Sequence, residues 1–180
     1  MRRRVAELMD VDVADPGLSR TPLDRLRDPI GRHPPRTSKP QSLRVGVAVA
    51  DARCPPVRWV DAVLLDAPCL GTGTFARHPD ARWRVTPDAL AALVRGQAEL
   101  LASASTVVRP GGLLVYATCS LEPEDNEAQV EGFLETHADF QREPPDDALP
   151  TLLSQKGDLM TLPQRDRMDG AYAARLRRAA

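Results

Sequence analysis

The chain has 180 residues, 42% of them hydrophobic, with a formal net charge of -1 and a pI near 6.3. That size buries one core and leaves no evident room for a second domain, and a near-neutral balance excludes global attraction to a polyanion, so any nucleic-acid contact must come from local patches. Three cysteines, Cys54, Cys69 and Cys119, form no paired spacing, which argues against a disulfide framework or a zinc site and for reduced thiols.

The first forty residues are rich in arginine, while the stretch from Glu122 to Asp147 is acidic. A basic rim and a solvated acidic helix follow from that distribution. Met1 leads into Arg2, Arg3 and Arg4, but no apolar run of signal-peptide or membrane-span length comes after, so the expectation is a cytoplasmic protein with no membrane partner and no metal. Val5 to Met9 reads as the end of a helix and Val11 to Ala14 as a short strand. Leu18 to Leu26 has near-helical leucine spacing, with Pro22 tolerable in a first turn and Pro29 as a stop. His33 to Ser42 holds three prolines and no periodicity, and reads as a linker. Residues 1–42 are therefore expected to be irregular and 43–180 to form the ordered part.

From Leu43 the texture changes. Val45, Val47 and Val49 predict a buried strand running into Asp51, and Asp61 to Leu65 another ending at Asp66. Thr86 is an N-cap ahead of Pro87, and Leu90, Leu93, Val94, Leu100, Leu101 and Val108 line one face of a helix reaching Arg109. Pro110, Gly111 and Gly112 should turn the chain into a third buried strand, Leu113 to Thr118. Glu124 to His137 reads as an amphipathic helix with Val130, Phe133 and Leu134 inward. Leu159 to Leu162 and Ala171 to Leu176, around the Asp169-Gly170 turn, read as a terminal hairpin. Strands alternating with helices predict an α/β sheet, mostly parallel, with a C-terminal antiparallel hairpin.

In an open α/β sheet ligands bind beyond the carboxyl ends of the strands. Three predicted strand ends carry reactive groups: Asp51, then Asp66 through Cys69, then Thr118 through Ser120. A single such cysteine is ordinarily a small buried hydrophobe, and a single aspartate ordinarily caps a turn. Together they place two thiols and a carboxylate around one crevice.

Asp66-Ala67-Pro68-Cys69 with Leu70-Gly71-Thr72-Gly73 and Arg77-His78-Pro79-Asp80, and Tyr116-Ala117-Thr118-Cys119-Ser120, resemble the two cysteine motifs of one enzyme family. Pro110-Gly111-Gly112, Pro123-Glu124-Asp125-Asn126-Glu127 and Met168-Asp169-Gly170-Ala171-Tyr172 extend the likeness. The family is that of the Sun-type (nucleolar-protein and bacterial ribosomal RNA) 5-methylcytosine methyltransferases, which transfer a methyl group from S-adenosylmethionine to C5 of a cytosine in RNA. The resemblance implies a Rossmann-like methyltransferase sheet. It implies Cys119 as the nucleophile that adds to cytosine C6, Asp66 as the group at the N3 edge, and Cys69 as the thiol of product release. Asp66 and Pro68 also stand where the family meets its cofactor, Asp51 where it places a carboxylate near the adenine, and Asp15 where it places a ribose-binding acid, with Asp12 a competing candidate and a plain turn aspartate the alternative. Arg77, His78, Arg82, Trp83 and Arg84 would serve RNA, the cations for phosphate and the indole for stacking, against the alternative of a solvated loop. Cys54 matches neither motif.

The family's glycine-rich loop between first strand and first helix has no counterpart here, and Arg4 to Met9 resembles the end of the helix that follows it. The expectation is thus a sheet lacking its first strand and glycine loop, with residues 1–42 a remnant of the cofactor half and 43–180 the catalytic half. A DNA methyltransferase would use the Pro-Cys thiol as nucleophile without a Thr-Cys-Ser site, and an amino-group methyltransferase would need a polar-Pro-Pro-aromatic string. An inactive, RNA-binding remnant is the third reading.

Overall fold

The computed structural model describes residues 9–12, 44–146 and 148–180. Asp15, the helix expected at Leu18 to Leu26 and the linker from His33 to Ser42 lie outside them, as does the helix end at Val5 to Met9 except for Met9 itself, which is in a strand. The chain divides into two compact units, Met1–Ala50 and Asp51–Ala180.

In the first unit β1 (Met9–Asp12) pairs antiparallel with β2 (Arg44–Val47), Met9 opposite Val47 and Asp12 opposite Arg44. The valine alternation that predicts a buried strand as far as Asp51 gives one that stops at Val47, itself 55% exposed, and leaves Val49 and Asp51 beyond the strand, Val49 being 91% exposed. Burial needs an apolar layer against the strand, and a two-stranded ribbon supplies none of its own.

The second unit begins with β3 (Val60–Asp66), then α1 (Pro87–Val107) and β4 (Val108–Thr118), which lies parallel to β3. α2 (Glu127–Thr136), β5 (Phe140–Arg142), β6 (Leu159–Thr161), the single turn α3 (Pro163–Asp166) and β7 (Ala171–Arg178) complete it. The sheet runs β3-β4-β7, with β5 and β6 sharing the far edge of β7; every pairing with β7 is antiparallel. The terminal hairpin is therefore present, and its second strand also seats against β4. Among the described residues β3 has β4 as its one strand neighbour, and Leu64 on it is 71% exposed.

Thr86 caps α1 by accepting a hydrogen bond from the Ala89 N–H at 3.1 Å, and Pro87 occupies the first turn, where its missing N–H is no loss. The Pro110-Gly111-Gly112 turn is corrected by the structure: it lies inside β4 as a bulge, where the register with β3 jumps from Val60↔Val108 to Ala62↔Leu113. Pro110 cannot donate to the ladder and Gly111 takes φ 71°, so the extra residues are extruded without ending the strand.

Leu114 and Tyr116 on β4, and Tyr172, Ala174 and Leu176 on β7, alternate onto one buried face. There they meet Leu101 and Ala104 of α1, Val130 and Phe133 of α2, and Phe140. Among the described residues no helix is long and apolar enough to cross a membrane.

Leu114 is fully buried at the centre of this core, so Leu114→Ala is expected to lower the unfolding free energy by about 2–5 kcal/mol. Thr86→Ala, which removes only the α1 cap, is expected to cost about 1 kcal/mol. Urea titration of the purified chain followed by circular dichroism checks both.

Candidate active site

β3 and β4 are parallel and in register at their carboxyl ends, Asp66 opposite Ala117, so the segments that follow them emerge at one edge of the sheet. The Ala67 N–H donates to the Ala117 carbonyl at 2.9 Å and extends the ladder one residue beyond β3. Cys69 and Cys119 then face each other, both half-buried, with their sulfurs 3.5 Å apart. Gly71 takes φ 71° where the loop doubles back, 3.9 Å from the Cys119 sulfur were it to carry a Cβ. The Gly73 N–H donates to the Cys119 carbonyl, and the Gly170 N–H to the Gly73 carbonyl. A Cβ on Gly73 would collide with both the Gly170 and Cys119 backbones, so the three turns interlock only through glycine.

Beneath the thiols is a set of buried polar groups that sequence reasoning did not assign. Asp125, fully buried, accepts from the Leu70 N–H at 3.2 Å and from Gln97 Nε2 at 2.7 Å. Gln97 Nε2 also donates to the Pro68 carbonyl at 2.9 Å, and the Tyr116 hydroxyl donates to the Asp125 carbonyl at 2.6 Å. Asn126 accepts from Thr118 Oγ1 and donates to the Ser120 carbonyl. Glu122 accepts from the hydroxyls of Thr72 and Ser120, each at 2.5 Å. Gln97 could have been found from sequence, because it falls on the apolar stripe of α1 between Leu93 and Leu101, where an amide must find partners. Asp125 and Asn126 sit in the quoted string Pro123 to Glu127, whose pattern alone gives no role.

Burial pushes the Cys69 thiol up to about 12, and the adjoining Cys119 thiol adds to the rise while its backbone opposes it. Cys69 is thus held as a neutral thiol at physiological pH. Burial acts to raise Glu122, but the hydroxyls of Ser120 and Thr72 and nearby N–H groups outweigh it and hold the carboxyl below its usual range. Burial, reinforced by the charge of Asp125, pushes the Tyr116 phenol well above its ordinary value, so it stays a donor.

The sequence-predicted residues do not all converge. Asp66, the last residue of β3, and Pro68, two residues on, are both exposed. A cleft of about 420 Å³ opens at Cys69 and is lined by Gly71, Thr74, His78, Arg84 and Leu93 among others. Arg77 is outside that lining and pairs with Asp169. Arg82 stands over the Phe75 ring, 5.8 Å from its centre. Trp83 is 83% exposed and anchors nothing. Asp51 is exposed and engaged by its neighbour Arg53, whose guanidinium and N–H donate to its carboxylate and hold that carboxyl below the usual range. No described contact joins Asp51 to the thiols. Cys54 is exposed and free.

The raised Cys69 pKa fixes a sign. Its thiol stays protonated up to about pH 12 in the folded chain but ionises near its ordinary value of 9.0 when unfolded, so stability is expected to fall as pH rises from about 9 toward 12. Alkylation of Cys69 by iodoacetamide at pH 9, followed by peptide mass spectrometry, is expected to run at less than about a tenth of the rate in urea-unfolded chain, since only the thiolate reacts. Equal rates would contradict the burial assigned to it.

A family profile described as 16S rRNA methyltransferase RsmB/F matches residues 38–177. The ribosomal RNA small subunit methyltransferase B of Thermus thermophilus is 38% identical over 156 residues, 87% of this chain and 38% of its own length. A probable ribosomal RNA small subunit methyltransferase B from Synechocystis sp. is 45% identical over 128 residues, 69% of this chain and 29% of its own. Among solved structures, NSun6 from Pyrococcus horikoshii with SFG aligns with a TM-score of 0.63 at 28% identity, covering 73% of this chain and 34% of that one. The chain spans about a third of the length of these relatives. The shared architecture is a Rossmann-like α/β sheet.

Proposed function

The chain belongs to the 16S rRNA methyltransferase RsmB/F family, and from that footing we propose that it carries the catalytic half of an enzyme that methylates C5 of a cytosine in ribosomal RNA through a covalent cysteine adduct. The observation that carries this reading is the 3.5 Å approach of the Cys69 and Cys119 sulfurs at the carboxyl ends of two adjacent parallel strands. Residues 43–180 are the catalytic half in this reading and 1–42 belong to the cofactor half, working in the cytoplasm where ribosomal RNA is modified.

Cytosine C5 is a poor nucleophile until a thiolate adds to C6. The Cys119 sulfur forms that bond, and the displaced ring electrons move toward C5 and the N3 edge. Asp66, exposed at the end of β3, is the group that would hydrogen-bond that edge. S-adenosylmethionine supplies the methyl group when bound. Asp66 and Pro68, both exposed, would hold it from the end of β3 and the loop that follows. Asp51 fits less well, since its carboxylate is already occupied by Arg53, and Asp15 is the remaining candidate for the ribose. Once C5 is methylated its proton leaves to a base, the C6–sulfur bond breaks, and the electron pair returns to Cys119. Cys69, kept neutral by burial, stands where its S–H can donate to that departing sulfur.

A base inside a duplex cannot reach half-buried thiols, so the target is an unpaired or flipped cytosine. The cleft with His78 and Arg84 receives the nucleotide, while the exposed Arg77, Arg82 and Trp83 meet the flanking chain through phosphate contacts and stacking.

The test is methyl transfer from labelled S-adenosylmethionine to unmodified small-subunit ribosomal RNA. Cys119→Ala is expected to abolish 5-methylcytidine formation. Cys69→Ala is expected to accumulate an RNA–protein complex that survives a denaturing gel, because the adduct forms but is not resolved. Activity surviving in Cys119→Ala, or its absence from the unsubstituted chain, overturns the reading.

A further inference from the structure

Asp125 is fully buried although both donors it meets, the Leu70 N–H and the Gln97 amide, are neutral. Gln97 is also fully buried, and its nitrogen is forced toward two acceptors, Pro68 O and Asp125 Oδ1, which leaves its own Oε1 without a partner. Burying an uncompensated carboxylate and orphaning a carbonyl are both unfavourable. The Gln97–Asp125 pair takes hold of Pro68 O and Leu70 N–H, the backbone groups on either side of Cys69.

The next residue repeats the pattern on the other thiol. Asn126 accepts from Thr118 Oγ1 at 2.5 Å and donates to the Ser120 carbonyl at 3.0 Å, so it straddles Cys119. Asn126 stands at the N-cap of α2 yet makes no side-chain cap hydrogen bond there, although capping is the usual service of an asparagine in that position. Its side chain is committed to the cysteine turn instead. The Tyr116 hydroxyl, donating to the Asp125 carbonyl, pins the two adjacent residues against the carboxyl-terminal part of β4.

We propose that Asp125, acting with Gln97, and Asn126 are positioning residues: consecutive in sequence, each straddles one cysteine, and together they set the separation of the two thiols. The proposal rests on the reading of Cys69 and Cys119 as the reactive pair, but its geometry can be measured without RNA. The isosteric Asp125→Asn turns an N–H toward either the Leu70 N–H or the Gln97 amide, so one of the two holds must be lost. Asn126→Asp keeps the acceptor for Thr118 and loses the donor for Ser120.

The experiment uses the full chain in a Cys54→Ser background, equilibrated with reduced and oxidised glutathione. Oxidised glutathione takes two electrons and two protons from Cys69 and Cys119, forming their disulfide and two reduced glutathione molecules. The equilibrium constant is therefore a ruler for how well the thiols are juxtaposed. Asp125→Asn and Asn126→Asp are each expected to lower it by about tenfold or more, as small displacements of paired reacting groups do. Asp158→Asn, a change at another buried carboxylate, one held by Arg142 and Tyr172, is expected to lower the melting temperature without moving the constant. If Asp125→Asn does not fold, Gln97→Met reads the same arm. Folded variants with an unchanged constant, or an equal drop in Asp158→Asn, overturn the proposal. With RNA, Asp125→Asn is expected to lower kcat while leaving KM near its original value. If the unsubstituted chain makes no 5-methylcytidine while Asp125→Asn and Asn126→Asp still show the glutathione shift, the catalytic reading is sunk and the positioning role stands.

Discussion

The pairing of Asp66 with Ala117 across two parallel strands is the constraint from which the rest of the site follows. Parallel strands must be joined by a crossover, which here is α1, and they finish at the same edge of the sheet. Two stretches of chain fifty residues apart in sequence, measured between Cys69 and Cys119, are thereby delivered side by side. An antiparallel pairing of the same two strands would send the thiols to opposite ends. The site is thus a consequence of strand direction first and of loop chemistry second.

What the loops add is fixation. Backbone groups that leave a strand end have lost their ladder partners and must find others. Here they find side chains from β4, α1 and the approach to α2, so the polar layer under the crevice is continuous with the hydrogen bonding of the sheet. The glycines at 73 and 170 let three turns touch through their backbones with no side chain between them. A rigid floor of this kind suits chemistry in which one sulfur must both attack and leave, since the partner thiol has to be waiting at a fixed place.

Much of this was legible in the sequence, for physical reasons. Thr86-Pro87 announces the start of α1, because a cap and a pre-set φ are local properties. The strand ends at Asp66 and Thr118 follow from apolar runs that stop at polar residues. Other features depend on distant partners and were not legible. The bulge at Pro110 to Gly112 looks like a turn until β3 is seen to continue alongside it. The three-residue β5 has no pattern of its own and exists because β7 offers an edge. Asp125 and Gln97 look like an acidic loop and a polar helix position until they are found to share one buried contact. Val47 of β2 predicted burial from composition, but only a second layer can provide it.

β7 holds the central place between β4 on one side and β5 and β6 on the other, yet it is the last of the described strands in sequence. On a ribosome that order has a cost. β4, with its apolar Leu114 and Tyr116, emerges well before the strand that will cover its free edge, and β5 and β6 have nothing to pair with until Ala171 to Arg178 has cleared the exit tunnel. The sheet of this unit can therefore close only after β7 has emerged, and until then the half-made unit must wait as an α/β fragment with an open hydrogen-bonding edge, the kind of intermediate for which chaperone attendance is most useful.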